Sequence, residues 1–222
     1  MDCFIFKEGH LKACSLEYDL GNNNSFIHLT NYSLQKYSKF FSKYEKGNEI
    51  SFEKFQEYLD TKENSFNFKK LIIPKFMEII ELTMKSSKLL INEKERQYCF
   101  EIFGYDFMMD EEKNVYLIEI NTNPGLEISS DVIKMLVPRM IDDALRLTID
   151  DIFPCEYDEK WKNEKGDYYS NFPVDGYSNE ENLWELICNV NEDKIRHGGQ
   201  NEYKSIIKKY KLRKQKKLSA NK

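Results

Sequence analysis

The chain has no apolar run long enough to span a bilayer, so a membrane-embedded protein is not the expectation. Its first residues, MDCFIFKEGH, lack the basic start, extended apolar stretch and small-residue cleavage site of a secretory leader. Cysteine is sparse: Cys3, Cys14, Cys99, Cys155 and Cys188 are odd in number and scattered. That pattern argues against a disulfide framework and a paired-thiolate metal site, and points to reduced thiols in the cytoplasm. No internal repeat is visible.

At 222 residues there is room for one core or two small ones, and a hydrophobic content of 41%, with 15 Phe and 14 Tyr, indicates a folded protein. A mean hydropathy of -0.67 indicates a soluble one. The net charge of -5 conceals an asymmetry. Residues 202–222 carry eight Lys and one Arg against Glu202, so that segment is about +8 and the remainder about -13. General nucleic-acid binding by the acidic body is disfavoured, although the basic end could attract any polyanion.

Taken in order, CFIF reads as an opening strand, and Lys7 to Ser15 as a strand end, a turn at Gly9 and a second strand. GNNNS signals a loop, and Phe26 to Leu34 alternates well enough to predict a strand. Ser51 is a helix N-cap candidate with Glu53 in the first turn, followed by Phe52, Phe55 and Leu59 at helical spacing. A longer helix is predicted from Pro74 to Ile91, with Phe76, Ile79, Ile80, Thr83, Ser87 and Leu90 as its core stripe. Ser130 predicts a further N-cap, before a helix whose buried face comprises Ile133, Leu136, Val137, Met140, Ile141 and Ala144. Pro138 should kink that helix or split it. DDIFP then reads as the end of the compact part, and LWELICNV as too short to form a domain.

The chemistry concentrates in CFEIFGYDFMMDEEKNVYLIEINTNPGLEISS, residues 99–130. Residues 100–109 and 115–121 are aromatic and β-branched, and the polar stretch Asp110 to Asn114 separates them, which predicts a hairpin. Alternation puts Ile102, Gly104, Asp106 and Met108 on one face of the first strand and Leu117, Glu119 and Asn121 on one face of the second. Ile118 and Ile120 are left for the opposite, packed side. With the loop centred near Glu112, Asp106 lies across from Glu119. Facing carboxylates repel unless a positive charge lies between them. Either a cation is bound there, with Gly104 leaving space beside it, or this is a solvated edge on which acids happen to alternate.

FGYDFMMD followed by LIEINTNP resembles the metal-binding hairpin of the tubulin tyrosine ligase family, ATP-grasp ligases that join amino acids to tubulin. FKEGHLKACSLEYDL, FIHLTNYSLQKYSK and KYEKGNEISFEKF resemble the same family in the same order, so the resemblance runs from about Phe4 to Pro154. It implies that Asp106, Glu119 and Asn121 are Mg²⁺ ligands and that Thr30 and Asn31 touch ATP. Lys12 stands where the family usually has Arg, in contact with phosphates or a substrate carboxylate. Lysine keeps the charge and loses the planar fork. His28 is read as structural.

The resemblance further implies an α+β fold, an ATP-grasp-like carboxy-terminal lobe of mostly antiparallel sheet with packed helices, with the amino-terminal lobe missing. Residues 1–155 would be the ligase part, 156–190 a polar extension and 191–222 a basic, disordered tail. The implied function is ATP-dependent addition of an amino acid to tubulin through an acyl phosphate. The alternative is a noncatalytic tubulin- or microtubule-binding protein derived from such a ligase. Tubulin and a free amino acid are the expected partners, with neither nucleic acid nor membrane. The expected location is the cytoplasm and cytoskeleton, including the cilium or basal body.

Overall fold

The computed structural model describes residues 1–94, 96–150, 152–153 and 169–191. Cys155 and the basic segment 202–222 lie outside the described residues. In chain order come strands β1 (Asp2–Phe6) and β2 (His10–Lys12), short helices α1 (Ser25–His28) and α2 (Tyr32–Gln35), and strand β3 (Glu49–Ser51). Helices α3 (Phe52–Asp60), α4 (Phe68–Leu71) and α5 (Ile73–Ile91) follow, then hairpin strands β4 (Gly104–Met109) and β5 (Val115–Asn121), helix α6 (Asp131–Thr148) and strand β6 (Trp184–Asn189). The strands form three separate antiparallel ribbons, β1 with β6, β2 with β3 and β4 with β5. The chain is thus α+β. No helix among the described residues is long and apolar enough to cross a membrane.

Local signals produce the helices. Ser51 accepts from the Lys54 N–H at the start of α3, and Glu53 sits in that first turn. Loss of such a cap costs about 1 kcal/mol. Phe52 and Leu59 are buried with Phe68 and Ile72, and Phe55 packs against them. Burying each such side chain contributes roughly 1.5–3 kcal/mol. Phe76 of α5 joins this cluster to the next: it meets Phe68 edge-on and stacks on Phe107 of β4 with ring centroids 4.2 Å apart. The second cluster holds Cys3, Ile80, Met84, Ile187, Cys188 and Val190, so α5 packs on both the β1·β6 ribbon and the hairpin.

The buried face of α5 differs from the predicted stripe at its end. Ile80, Glu81 and Met84 are buried, whereas Leu90 is 84% exposed. At the end of the helix it is Ile91, one position beyond the predicted stripe, that packs on the second cluster.

Three longer-range features correct the sequence reading. First, Phe26 to Leu34 is not a strand but contains most of α1, an irregular link at Leu29 to Asn31 and the start of α2. The Asn24 side chain caps α1, and the buried Gln35 side chain accepts from the Ser15 N–H and Oγ–H and donates to the carbonyls of Phe26 and Leu29. That amide closes the segment into helical turns.

Second, Pro138 does not split α6, which runs unbroken from Asp131 to Thr148. Proline removes one intrahelical bond. The helix is held on both sides of that gap by the Ser130 cap and by Arg139, whose fully buried side chain pairs with Asp143.

Third, the compact part does not end at DDIFP. β6 pairs with β1, with Cys3 opposite Cys188 and Phe6 opposite Trp184, and Leu183 is fully buried. Residues 184–189, read from sequence within a polar extension, therefore close the core around the first strand.

Candidate functional site

The hairpin loop is set by Asp110, whose carboxylate accepts from the Asn114 N–H at 2.7 Å, the Asn114 side chain at 2.9 Å and the Tyr116 hydroxyl at 3.1 Å. These bonds hold its carboxyl below the usual range, the Asn114 side chain contributing most. The resulting register places Asp106 opposite Glu119 and Gly104 opposite Asn121.

A bulge at Ile118 separates the Asp106–Glu119 pair from the Phe107–Leu117 pair. The extra residue reverses the alternation, as bulges do. Leu117 therefore shares the packed face with Phe107 instead of lying beside Glu119 and Asn121. Ile118 and Ile120, expected to be packed, are 57% and 38% exposed. Gly104 leaves no open space beside the acids: a Cβ there would lie 2.9 Å from the Pro124 side chain, so glycine allows the returning chain to approach.

The positive charge that the facing carboxylates require comes from β2. Lys12 Nζ lies 3.2 Å from Asp106 Oδ1, with both side chains 37% exposed. An ion pair that open to water contributes at most about 1 kcal/mol. It can be displaced at little cost. Asn121 donates its side-chain N–H to Glu119 Oε1 at 3.3 Å.

Lys12, Thr30, Asn31, Asp106 and Glu119 line one open cleft of about 1930 Å³, and Asn121 is not among its lining residues. Asn31 sits at the N-cap of α2 without a side-chain capping bond, which leaves its amide for other partners. Thr30 is half-buried beside it. His28 lines the same cleft; its ring also contacts the Asn22 carbonyl and meets Tyr18 edge-on, 5.7 Å between ring centres.

Among the described residues no three His, Cys, Asp or Glu side chains converge on a metal position. Two carboxylates and an amide nevertheless suit Mg²⁺, an oxygen-seeking ion that is usually held by one or two carboxylates plus substrate phosphates.

Two residues near Lys12 were not singled out from the sequence. His10 shares its strand face, as the two-residue spacing alone could have shown. The His10 ring lies 3.9 Å from buried Glu49, which also accepts hydrogen bonds from Ser129 and Ser130 and so ties β3 to the start of α6. Burial holds the His10 pKa below 6.5; Glu49 and Asp106 oppose that shift, and Lys12 adds to it. The unfolded chain therefore binds the His10 proton at higher pH than the folded chain does. Stability contributed by neutral His10 is fully present above about pH 6.5 and is lost as the pH falls below that value. Urea unfolding of the wild type and His10→Gln at pH 7.5, 6.5 and 5.5 should show a shallower decline in the variant. Parallel declines would contradict this assignment.

On this α+β chain an acidic hairpin and a lysine of β2 meet at one cleft. Comparison with known proteins identifies the family. Residues 1–160 match the Tubulin-tyrosine ligase family, and the chain belongs to that family. It is 33% identical over 148 residues to tubulin glycylase 3B of Tetrahymena thermophila, covering 66% of this chain and 12% of that protein. It is 33% identical over 165 residues to tubulin glycylase 3F of the same organism, covering 73% of this chain and 18% of that protein. A probable alpha-tubulin polyglutamylase of that organism is 31% identical over 152 residues, covering 67% of this chain and 36% of that protein. The chain thus spans little more than a third of the length of these relatives at most.

Proposed function

We propose that this chain is the carboxy-terminal, metal-contacting part of an ATP-dependent ligase that joins an amino acid to tubulin. The observation that carries this reading is the pairing of Asp106 with Glu119 across the hairpin, with Lys12 against Asp106. Family membership and the names of the relatives support it.

Asp106, Glu119 and Asn121 are the residues that would hold Mg²⁺, and the ion would neutralise phosphate charge when bound. Thr30 and Asn31 offer a hydroxyl and an amide to nucleotide oxygens. Lys12 offers its charge to a phosphate or a carboxylate. The γ-phosphoryl group of ATP passes to a carboxylate oxygen, releasing ADP and leaving an acyl phosphate. An amine then attacks the acyl carbon, the amide bond forms as the nitrogen gives up a proton to water, and inorganic phosphate leaves with the electron pair of the broken C–O bond. Because the reacting groups are anionic, a site combining a fixed lysine with oxygen ligands for a cation suits both steps. This activity would act at microtubules, in the cytoplasm and in the cilium or basal body.

The test is incorporation of radiolabelled glycine, glutamate or tyrosine into purified tubulin by the whole protein. Label that enters tubulin only with ATP and Mg²⁺ supports the ligase. Tubulin binding that is indifferent to ATP, with no label incorporated, supports the noncatalytic alternative.

The cleft of the 222-residue chain is open, and Ile118, Ile128 and Leu126 are exposed around the hairpin at 57%, 62% and 42%. Small-molecule sites normally bury most of their ligand. By itself the chain should therefore hold MgATP no more tightly than roughly millimolar, about -4 kcal/mol. Isothermal titration checks this, and a micromolar constant would mean that the chain closes the pocket unaided.

A further inference from the structure

Cys3 of β1 and Cys188 of β6 stand directly opposite one another in their antiparallel ribbon, although nearly the whole chain separates them in sequence. Both are free thiols, and both are buried in one cluster with Ile80, Met84, Ile187 and Val190, so their side chains leave the ribbon on the same side. The register shifts just after this pair: Phe4 faces Leu186, and Ile187 is the extra residue. That bulge lets the neighbours Ile187 and Cys188 turn into the core together. Opposed residues of an antiparallel pair have Cα atoms about 4.5–5.5 Å apart, within the roughly 4.4–6.8 Å that a disulfide spans. The two thiols already interact. A hydrogen bond from Cys3 to the Cys188 sulfur holds the Cys188 pKa below its ordinary 9.0, with Lys85 adding to that shift and burial and Glu81 opposing it. Cys3, the donor, is pushed up by the same bond and by burial. Two thiols packed among hydrocarbon would ordinarily be inert. Here buried Glu81, with Lys85 Nζ 2.7 Å from its Oε1, brings an ion pair to the sulfurs, and Cys3 lines the open cleft, through which a small solute can arrive.

We propose that Cys3 and Cys188 are an oxidation site for hydrogen peroxide, closing reversibly into a disulfide that clasps β6 to β1. The Cys188 thiolate sulfur attacks one peroxide oxygen, the O–O bond breaks, and the hydroxide that departs with the electron pair takes up the proton Cys188 gave up and becomes water. The Cys3 sulfur then attacks the sulfenic sulfur of Cys188. The S–O bond breaks, the S–S bond forms, and the hydroxyl leaves with the Cys3 proton as a second water. Two thiols thus lose two electrons and two protons, and one peroxide is reduced to two waters. A thiol reductant restores both cysteines by exchange, as suits a bond made under transient oxidation. The effect follows from where the bond lies. β6 closes the core around β1 and is fastened to α6 by the Trp184 indole, which donates to the Met140 carbonyl. β1 in turn leads into β2, which carries Lys12. A covalent link between β1 and β6 closes a loop of nearly the whole chain and restricts the unfolded state accordingly. This chemistry needs neither ATP nor tubulin, so it stands apart from the ligase reading.

The experiment treats the intact chain with hydrogen peroxide, blocks the remaining thiols with N-ethylmaleimide in denaturant and maps the peptides by mass spectrometry without reduction. The wild type should lose the mass of two hydrogens, yield a peptide pair joined through Cys3 and Cys188, and regain both thiols in dithiothreitol. Its urea midpoint should rise by about 1 M on oxidation. Cys3→Ala and Cys188→Ala should show neither the link nor the rise, each compared with its own untreated sample so that the cost of the substitution cancels. Cys14→Ala/Cys99→Ala/Cys155→Ala should keep both, and this variant carries the test if a core substitution prevents folding. Links that run through Cys14, Cys99 or Cys155 instead overturn the proposal. So does sulfinic acid at Cys3 or Cys188 without a link, or complete N-ethylmaleimide labelling of both after peroxide. A Cys3–Cys188 link that leaves the urea midpoint unchanged overturns the clasp.

Discussion

Glu119→Gln should lower ATP-dependent ligation by the whole protein at least about 100-fold while leaving the fold intact. Glu119 is exposed and contributes little to the core, so its replacement by an amide of the same shape removes charge and almost nothing else. That charge lies opposite Asp106, and the substitution relieves their repulsion in the metal-free chain. Stability should therefore stay within about 1 kcal/mol of the wild type, or rise slightly. The readouts are ligation at ordinary Mg²⁺ and urea unfolding, taken on the same preparation. A variant that ligates at near the wild-type rate would remove Glu119 from the candidate ligands, whereas one that unfolds would show that the side chain has a structural role.

The second large effect lies away from the cleft. Arg139→Met should destabilise the chain by about 3–5 kcal/mol, the usual cost of breaking a buried ion pair from one side. Arg139 and Asp143 are both fully buried, with Nε 2.8 Å from Oδ2. The guanidinium also donates to the carbonyls of Phe172, Ser178 and Glu181 and contacts Asn179, which fastens residues 172–181 to α6. Methionine keeps the apolar stem and supplies none of these donors, so the carbonyls lose partners in a dry site. Asp143 retains Arg146 at 2.9 Å and the Leu183 N–H at 2.8 Å, which limits the damage on its side. Chemical denaturation measures the difference. A loss under about 1 kcal/mol would mean that water reaches this pair.

This pair also shows where sequence reading stops. Arg139 and Asp143 lie four apart on a helix whose apolar stripe was legible, and nothing local indicates that they are buried. Their partners come from residues 172–183, which no spacing connects to α6. Likewise β6 was unreadable as a core strand because its reason for existing is β1, almost the whole chain away. Capping by Ser51 and Ser130 and the course of α5 were legible because a helix start is decided within four residues. The hairpin lies between these extremes. A short loop fixes the register, so Asp106 opposite Glu119 could be counted out, whereas the bulge at Ile118 could not. The approach of Lys12 to Asp106, 94 positions apart, required the folded chain.

That approach supplies the most direct test of the central claim, that the hairpin carboxylates form a cation site which Lys12 shares. Mn²⁺ accepts the same oxygen ligands as Mg²⁺ and can be counted by electron paramagnetic resonance. Titration into the wild type, Asp106→Asn and Lys12→Met, without nucleotide, should give opposite changes: weaker binding when a carboxylate is lost, and tighter binding when the competing ammonium is removed. Identical Mn²⁺ affinity in all three proteins would contradict the account and leave the hairpin as a solvated acidic edge.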